Sequence, residues 1–243
     1  MDTIDGVWIM KGCARNDKNR LRSPEDLLDL VMKIGFLPLF SNEIPGFSVE
    51  EHTPAEDWWQ DDPATDPWAW REVLASNTHV CYGKFFDRKA GFVSKEWFPD
   101  FANYRRDGYD WEGLYEDGKM KTRCKQIMEV FSPDEQACAP ELLSCDIKRR
   151  LSEKKGFEGA LTDLQMQAFL IVSDFRQRTN KFGIPYGWHV AALTTPETKW
   201  GYDSVNGTVR KPEASWERIR EQLFRFYPDA DESEVRKLLG VRR

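Results

Sequence analysis

The chain has no apolar run approaching the ~20 residues that a membrane span needs. Its opening, MDTIDGVWIMKGCARNDKNR, lacks the basic-then-apolar order of a secretory signal. It has no Cys-x-x-Cys pair. The five cysteines are odd in number, and Cys138 and Cys145, seven apart, have no histidine cluster beside them. Free thiols in a reducing compartment follow, with zinc the minor alternative. The expectation is a cytoplasmic protein with no metal and no cofactor. His79 and His189 stand alone, without metal-ligand spacing, and structural roles are expected for both: His79 at a helix end, His189 at the start of a strand. GxSxG, GxGxxG and the phosphate-binding loop are all missing. So are a fixed-period repeat, a low-complexity tract and a clear linker. Positive charge is in deficit too, with a formal net charge of -6 over 243 residues.

Aromatic residues are plentiful. Ten Trp and 15 Phe are enough to fill a core and line a groove. In SPEDLLDLVMKIG, Ser23 is a natural N-cap, Pro24 a first helical residue and Gly35 a terminator, with Leu27, Leu28, Val31 and Ile34 on one face. FLPLF follows as a short strand. The acidic, proline-rich stretch SNEIPGFSVEEHTPAEDWWQDDPATDP reads as an ordered loop, because Trp58 and Trp59 need burial. Asp66 and Pro67 repeat the cap-and-proline start, Ser94 caps EWFPDFANYRR, and Asp231 caps a last amphipathic helix.

The later half has a distinct order. SCDIKRRL and FEGALTDLQMQ read as two helices, the first capped by Ser144. FLIVSDFRQR and WHVAALTT are β-rich and flank the turn TNKFGIPYG. Helix, helix, strand, wing, strand is a winged-helix order, expected over residues 144–195 with the wing turn near Phe182–Gly187. The fold class expected is α+β, mainly helical, with winged-helix architecture. Residues 1–131 would form an N-terminal helical, winged-helix-like part. Residues 132–243 would form a winged-helix part with C-terminal helices, the two making one compact unit.

These segments carry a resemblance. SPEDLLDLVMKIGFLPLF resembles the N-terminal helix and following strand of the AlkZ/YcaQ-type proteins, bacterial DNA glycosylases and relatives built from winged helices. RKAGFVSKEWFPDFANYRR resembles that family's H-[KR]-A-S-[FL]-[VL]-P…W-P segment, with Arg88 in place of the histidine. SCDIKRRL, then GALTDLQMQAFLIVSDF, resembles its late winged helix, and ALTTPETKWG resembles the segment after the wing. The chain is shorter than a typical member. The resemblance implies excision of alkylated or crosslinked bases by a Gln-apolar-Gln or Gln-apolar-Asp motif just after the first helix. Such a polar pair would position water and stabilise positive charge developing on the sugar. Here that place reads Pro38-Leu39-Phe40, so altered or lost glycosylase chemistry is expected. Any enzyme activity would be that of a DNA-glycosylase-like hydrolase.

Residues nearby offer substitutes. Asn42, Glu43, Glu51 and His52 are the catalytic candidates, since a carboxylate beside a histidine can do acid–base work. Trp58 and Trp59 are candidates to stack an extruded base or close a ligand pocket. The plainer reading is a solvated acidic loop anchored by two core rings. For DNA, the local basic patches are Lys148, Arg149 and Arg150 in the first helix of the winged unit, and Arg176, Arg178 and Lys181 around the wing. The second helix has Glu158 and Asp163 but no Arg or Lys, and only Gln165 and Gln167 to read bases. Nonspecific contact with double-stranded DNA is therefore the expected partnership. A winged-helix protein with no activity, binding a protein or a small ligand, remains the alternative.

Overall fold

The computed structural model describes residues 2–4, 7–132, 141–151 and 155–240. Asp2–Ile4 (β1) and Val7–Ile9 (β2) pair as a small antiparallel ribbon. Helix Pro24–Ile34 (α1) starts as the sequence dictates: the Ser23 hydroxyl accepts from the Asp26 amide, and Leu27, Val31 and Ile34 are buried. It stops at Gly35, whose φ of 99° suits glycine, and where a Cβ would sit 2.4 Å from the Trp97 ring. Strand Phe36–Pro38 (β3) follows, then a long loop with two single 3-10 turns, at Glu50–His52 and Ala55–Asp57. Asp66 caps helix Pro67–Ser76 (α2), which leads to the hairpin Val80–Phe86 (β4) and Lys89–Ser94 (β5).

Three helices come next: Phe98–Arg106 (α3), Trp111–Glu116 (α4) and Thr122–Glu129 (α5). Strand Leu142–Leu143 (β6), helices Ser144–Arg150 (α6) and Phe157–Met166 (α7), and strands Ile171–Thr179 (β7) and Pro185–Thr194 (β8) then run in order. The chain ends in helices Pro196–Trp200 (α8), Tyr202–Asn206 (α9), Pro212–Phe226 (α10) and Glu232–Leu239 (α11). Asp231 caps α11 as its sequence position demands.

The fold is α+β. One six-stranded sheet has the order β3-β5-β4-β7-β8-β6, every neighbouring pair antiparallel. It joins three strands from before residue 131 to three from after it, through the contact of Tyr82 with Val172. One buried cluster continues across both sides, from Leu27 and Phe36 to Leu164, Ile171 and Leu239. Among the described residues no helix is long and apolar enough to cross a membrane.

Several local expectations differ from the structure. Ser94 ends β5 instead of capping α3: its hydroxyl is buried without a partner, and a turn through Trp97 starts the helix. Ser144 is the first residue of α6, with Leu143 at the cap position. His79 lies beyond the end of α2, in the approach to β4. Burial pushes the Cys81 thiol up to about 12 and the Cys124 thiol up to about 11, leaving both inert near neutrality. Cys138 lies outside the described residues.

Candidate functional site

The position of the resemblance's polar pair is packed on every side. Pro38 faces Gly91 across β3 and β5, and a Cβ on Gly91 would lie 2.5 Å from the Leu37 carbonyl oxygen. The Leu39 amide donates to the Ala90 carbonyl at 2.9 Å. On the other flank, the Val49 and Glu50 amides donate to the Pro38 and Leu39 carbonyls, both at 3.0 Å. Phe40 points into a ring cluster, with Trp58 at 5.8 Å and Trp68 at 6.3 Å between centroids. Positions 38–40 themselves thus carry no polar side chain.

The four catalytic candidates sit in the following turn. Asn42 donates to the Phe47 carbonyl at 2.7 Å and accepts from the Ile44 amide at 2.9 Å. Glu51 accepts from the Gly46 amide at 2.9 Å and the Ser48 hydroxyl at 2.6 Å. The His52 Nε2 is 2.9 Å from the Gly46 carbonyl oxygen, which also accepts from the Tyr227 hydroxyl. Asn42, Glu51 and His52 therefore converge on one turn and hold it shut. Glu43 is exposed, 3.7 Å from Lys237 of α11. The niche beside Asn42 and Glu43 has a volume of about 30 Å³, room for roughly one water. Glu50 is no part of a solvated loop. It is fully buried, accepting from the Lys11 amide at 2.7 Å and the Ser41 amide at 2.8 Å.

Trp58 is buried and donates from Nε1 to the Thr53 hydroxyl at 2.9 Å. Trp59 is 47% exposed and has a left-handed φ of 57°, uncommon for so bulky a residue. Asp66 holds it there, accepting from the Trp59 amide as well as the Trp68 amide. Sequence reading missed the continuation of this cluster. The Arg71 guanidinium lies 3.9 Å from the Trp68 centroid and 4.1 Å from that of Phe175 on β7. Beside it, Glu72 meets His189 Nδ1 at 2.6 Å. The Trp–Arg spacing of three in WAWREVLAS puts both residues on one helix face, and that was the available signal.

This clamp fixes the foot of a projecting hairpin. Gln177 pairs with His189, but the next residue, Arg178, pairs with Tyr186. Gly187 and Trp188 are therefore extra residues in β8, and Gln177 bridges them by donating to the Gly187 carbonyl at 3.0 Å. The bulge aims Trp188 outward, 89% exposed, with Phe182 75% exposed at the tip. The tip is braced by Asn180, whose side chain accepts from the Phe182 and Ile184 amides.

The basic candidates fall into two groups. Lys148 is paired with Glu158 at 3.0 Å, Arg149 with Asp146, and Arg176 with both Glu141 and Asp174. Arg150, Arg178 and Lys181 have no carboxylate partner among the described residues. Arg178 and Lys181 lie over the Tyr186 and Phe182 rings at 4.9 Å.

Helix α7 is not free to read bases. Gln165 is 4% exposed, and its side-chain oxygen accepts from the Lys84 amide at 3.0 Å. Arg88 at 2.6 Å and Lys121 at 2.8 Å both close on Asp163. Burial raises the Asp163 carboxyl, but the hydrogen bonds from Lys121 and Arg88 outweigh it and hold the group below the usual carboxylate range. A depressed folded pKa gives stability that is present above the unfolded carboxylate value of about 3.9 and lost as pH falls through the folded value. Asp163→Asn should therefore cost under about 1 kcal/mol at neutral pH, since both cations are exposed. Denaturation midpoints of the two proteins should converge below about pH 4. A gap that widens in acid would refute this account.

A family profile described as "AlkZ related" matches residues 21–240. A search among curated proteins finds no match. Among solved structures, the Streptomyces sahachiroi DNA glycosylase AlkZ is similar at 11% identity and a TM-score of 0.45, covering 91% of this chain and 60% of its own. The chain thus spans about three-fifths of that relative's length.

Proposed function

The chain belongs to the AlkZ-related family, and from that premise we propose that it is a DNA-associated protein of repair type that grips duplex DNA through the β7–β8 hairpin and does not excise bases. On this reading α6, α7, β7 and β8 are a winged helix whose wing contacts the duplex while its second helix serves as core. The observation that carries it is the hairpin itself. Arg176–Val190 contains three cations and no carboxylate, in a chain of net charge -6, and displays Trp188 at 89% exposure. Cations neutralise phosphates without sequence preference, and an exposed ring can stack on a base or wedge a step open.

Arg178 and Lys181 are the phosphate contacts expected to count most, because the other wing cation, Arg176, is already held by two carboxylates. Binding should be weak, nonspecific and salt-sensitive. In fluorescence anisotropy with a labelled duplex between about 50 and about 200 mM salt, Arg178→Gln with Lys181→Gln should flatten the slope of log K against log salt by about 0.9 for each phosphate no longer neutralised. Trp188→Ala should weaken binding by roughly 5- to 150-fold at unchanged slope, as expected for about 1–3 kcal/mol of stacking. Unchanged affinity in both variants would remove the hairpin from the interface. No binding by the intact protein at low salt would favour the second reading, in which the same exposed rings meet a protein partner.

A further inference from the structure

The hairpin displays more apolar surface than contact with a duplex uses. Phe182, Ile184, Tyr186 and Trp188 are four of the ten exposed large apolar side chains among the described residues. Cations and one stacking ring serve a nucleic acid. Phe182 and Ile184 are left over, and clustered exposed apolar residues mark a contact with another protein surface.

Two more of the ten lie at the hairpin's foot. Trp59 is 6.4 Å from Trp68 between centroids, and the Arg71 guanidinium lies over both Trp68 and Phe175 of β7. Trp59 therefore belongs to the same ledge as the base of the strand. Val73, 54% exposed, follows Glu72, the residue that holds His189 of β8.

Charge divides foot from tip. Arg178 and Lys181, towards the tip, have no carboxylate partner among the described residues. The loop at the foot, residues 56–66, contains five carboxylates and no cation. Three of the five are engaged: Glu56 and Asp57 with Arg15 and Arg20, and Asp66 as the cap of α2. Asp61 and Asp62 are exposed and have no ion pair among the described residues, and Asp62 accepts only from the Ala64 amide at 3.0 Å.

One end of the ribbon is thus apolar and acidic, the other apolar and basic. At roughly 3.3 Å per residue the 180–183 turn lies about 20 Å beyond Phe175. Each end is complementary to the other and not to itself. Two such ribbons laid side by side in opposite directions bring each tip to the other's foot, which is the self-complementary patch that a two-fold dimer requires.

We propose that the protein self-associates through this surface as a two-fold dimer, the tip of each hairpin seated on the Trp59 ledge of the second copy, with Arg178 and Lys181 against its Asp61 and Asp62. The dimer covers the hairpin's cations, so self-association and DNA binding exclude each other. Its existence does not depend on the DNA reading.

Sedimentation velocity of the full chain with a thiol reductant tests it. The average mass should climb from monomer towards dimer between about 1 and about 200 µM protein, the range in which a small interface associates. Raising salt from about 50 to about 500 mM should weaken the association by screening. A charge swap then tests the pairing. One variant carries Arg178→Glu with Lys181→Glu. The other carries Asp61→Lys with Asp62→Asn, the asparagine keeping the oxygen that accepts from the Ala64 amide. Each alone should raise the dissociation constant at least about tenfold, because like charges then face each other. Mixed one to one they should associate again, since both contacts of the mixed dimer join opposite charges. Melting temperatures close to that of the unmodified protein check that both variants fold. The loop variant keeps the hairpin intact and should bind duplex DNA at least as tightly as the unmodified protein, so failure of the DNA reading is seen separately. A monomer at every concentration, a dimer indifferent to both variants, or a mixture that stays monomeric would each overturn the proposal.

Discussion

Replacing Arg105 with methionine will cost about 3–5 kcal/mol of stability, the lower part of the range for leaving three buried carbonyls without their donor. Arg105 is on α3, 4% exposed, and its guanidinium is the junction of three elements. It donates to the Phe85 carbonyl of β4 at 2.6 Å, the Met166 carbonyl at 3.1 Å and the Leu239 carbonyl at 3.1 Å. Met166 and Leu239 are the last residues of α7 and α11, so one cation meets the negative ends of two helix dipoles. Burial lowers its pKa to about 9, which leaves it charged at neutral pH. Methionine would keep much of the volume over the Phe101 ring but orphan three carbonyls, each costing about 1–3 kcal/mol if left dry. For a chain of this size the melting temperature should fall by roughly 6–20 °C. Arg105→Lys should fall between the two, because a single ammonium cannot reach all three carbonyls. A drop under about 3 °C for the methionine variant would mean that water or neighbouring groups replace the guanidinium.

Arg105 also shows where sequence reading ends. Local devices were legible because their partners are close in the chain: the Ser23, Asp66 and Asp231 caps, the Gly35 stop, the β-rich flanks of the 180–187 turn. In the sequence, Arg105 and Arg106 are merely a basic pair. Their partners are 20 to 134 residues away, and only the tertiary fold turns them from surface charge into internal struts. The same limit explains Gln165, whose partner, the Lys84 amide, is 81 residues distant. It explains Glu50 too, whose acidic neighbours suggested solvent while two backbone amides were waiting inside. The outward aim of Trp188 needed the two-residue bulge, which a turn-rich sequence hints at through Gly187 but does not locate.

Base release from methylated duplex DNA should be indistinguishable from a protein-free control, while an active family member run alongside cleaves. Loss of a base leaves positive charge on the sugar, and an excising site must hold a water and a negative or polar group against it. At positions 38–40 both backbone edges are hydrogen-bonded into the sheet and loop, and the side chains are proline, a buried leucine and a ring packed on Trp58 and Trp68. Two carboxylates of the following loop are committed: Glu50 to two amides, Glu51 to an amide and a hydroxyl. Phe40→Gln should therefore not restore activity. It would set an amide among rings with no partner, costing about 1–3 kcal/mol in stability, and it would leave position 38 a proline. Release at a rate comparable with the active member would defeat this argument. The residue to neutralise first would then be Glu43, the exposed carboxylate at the edge of the turn, 3.7 Å from Lys237.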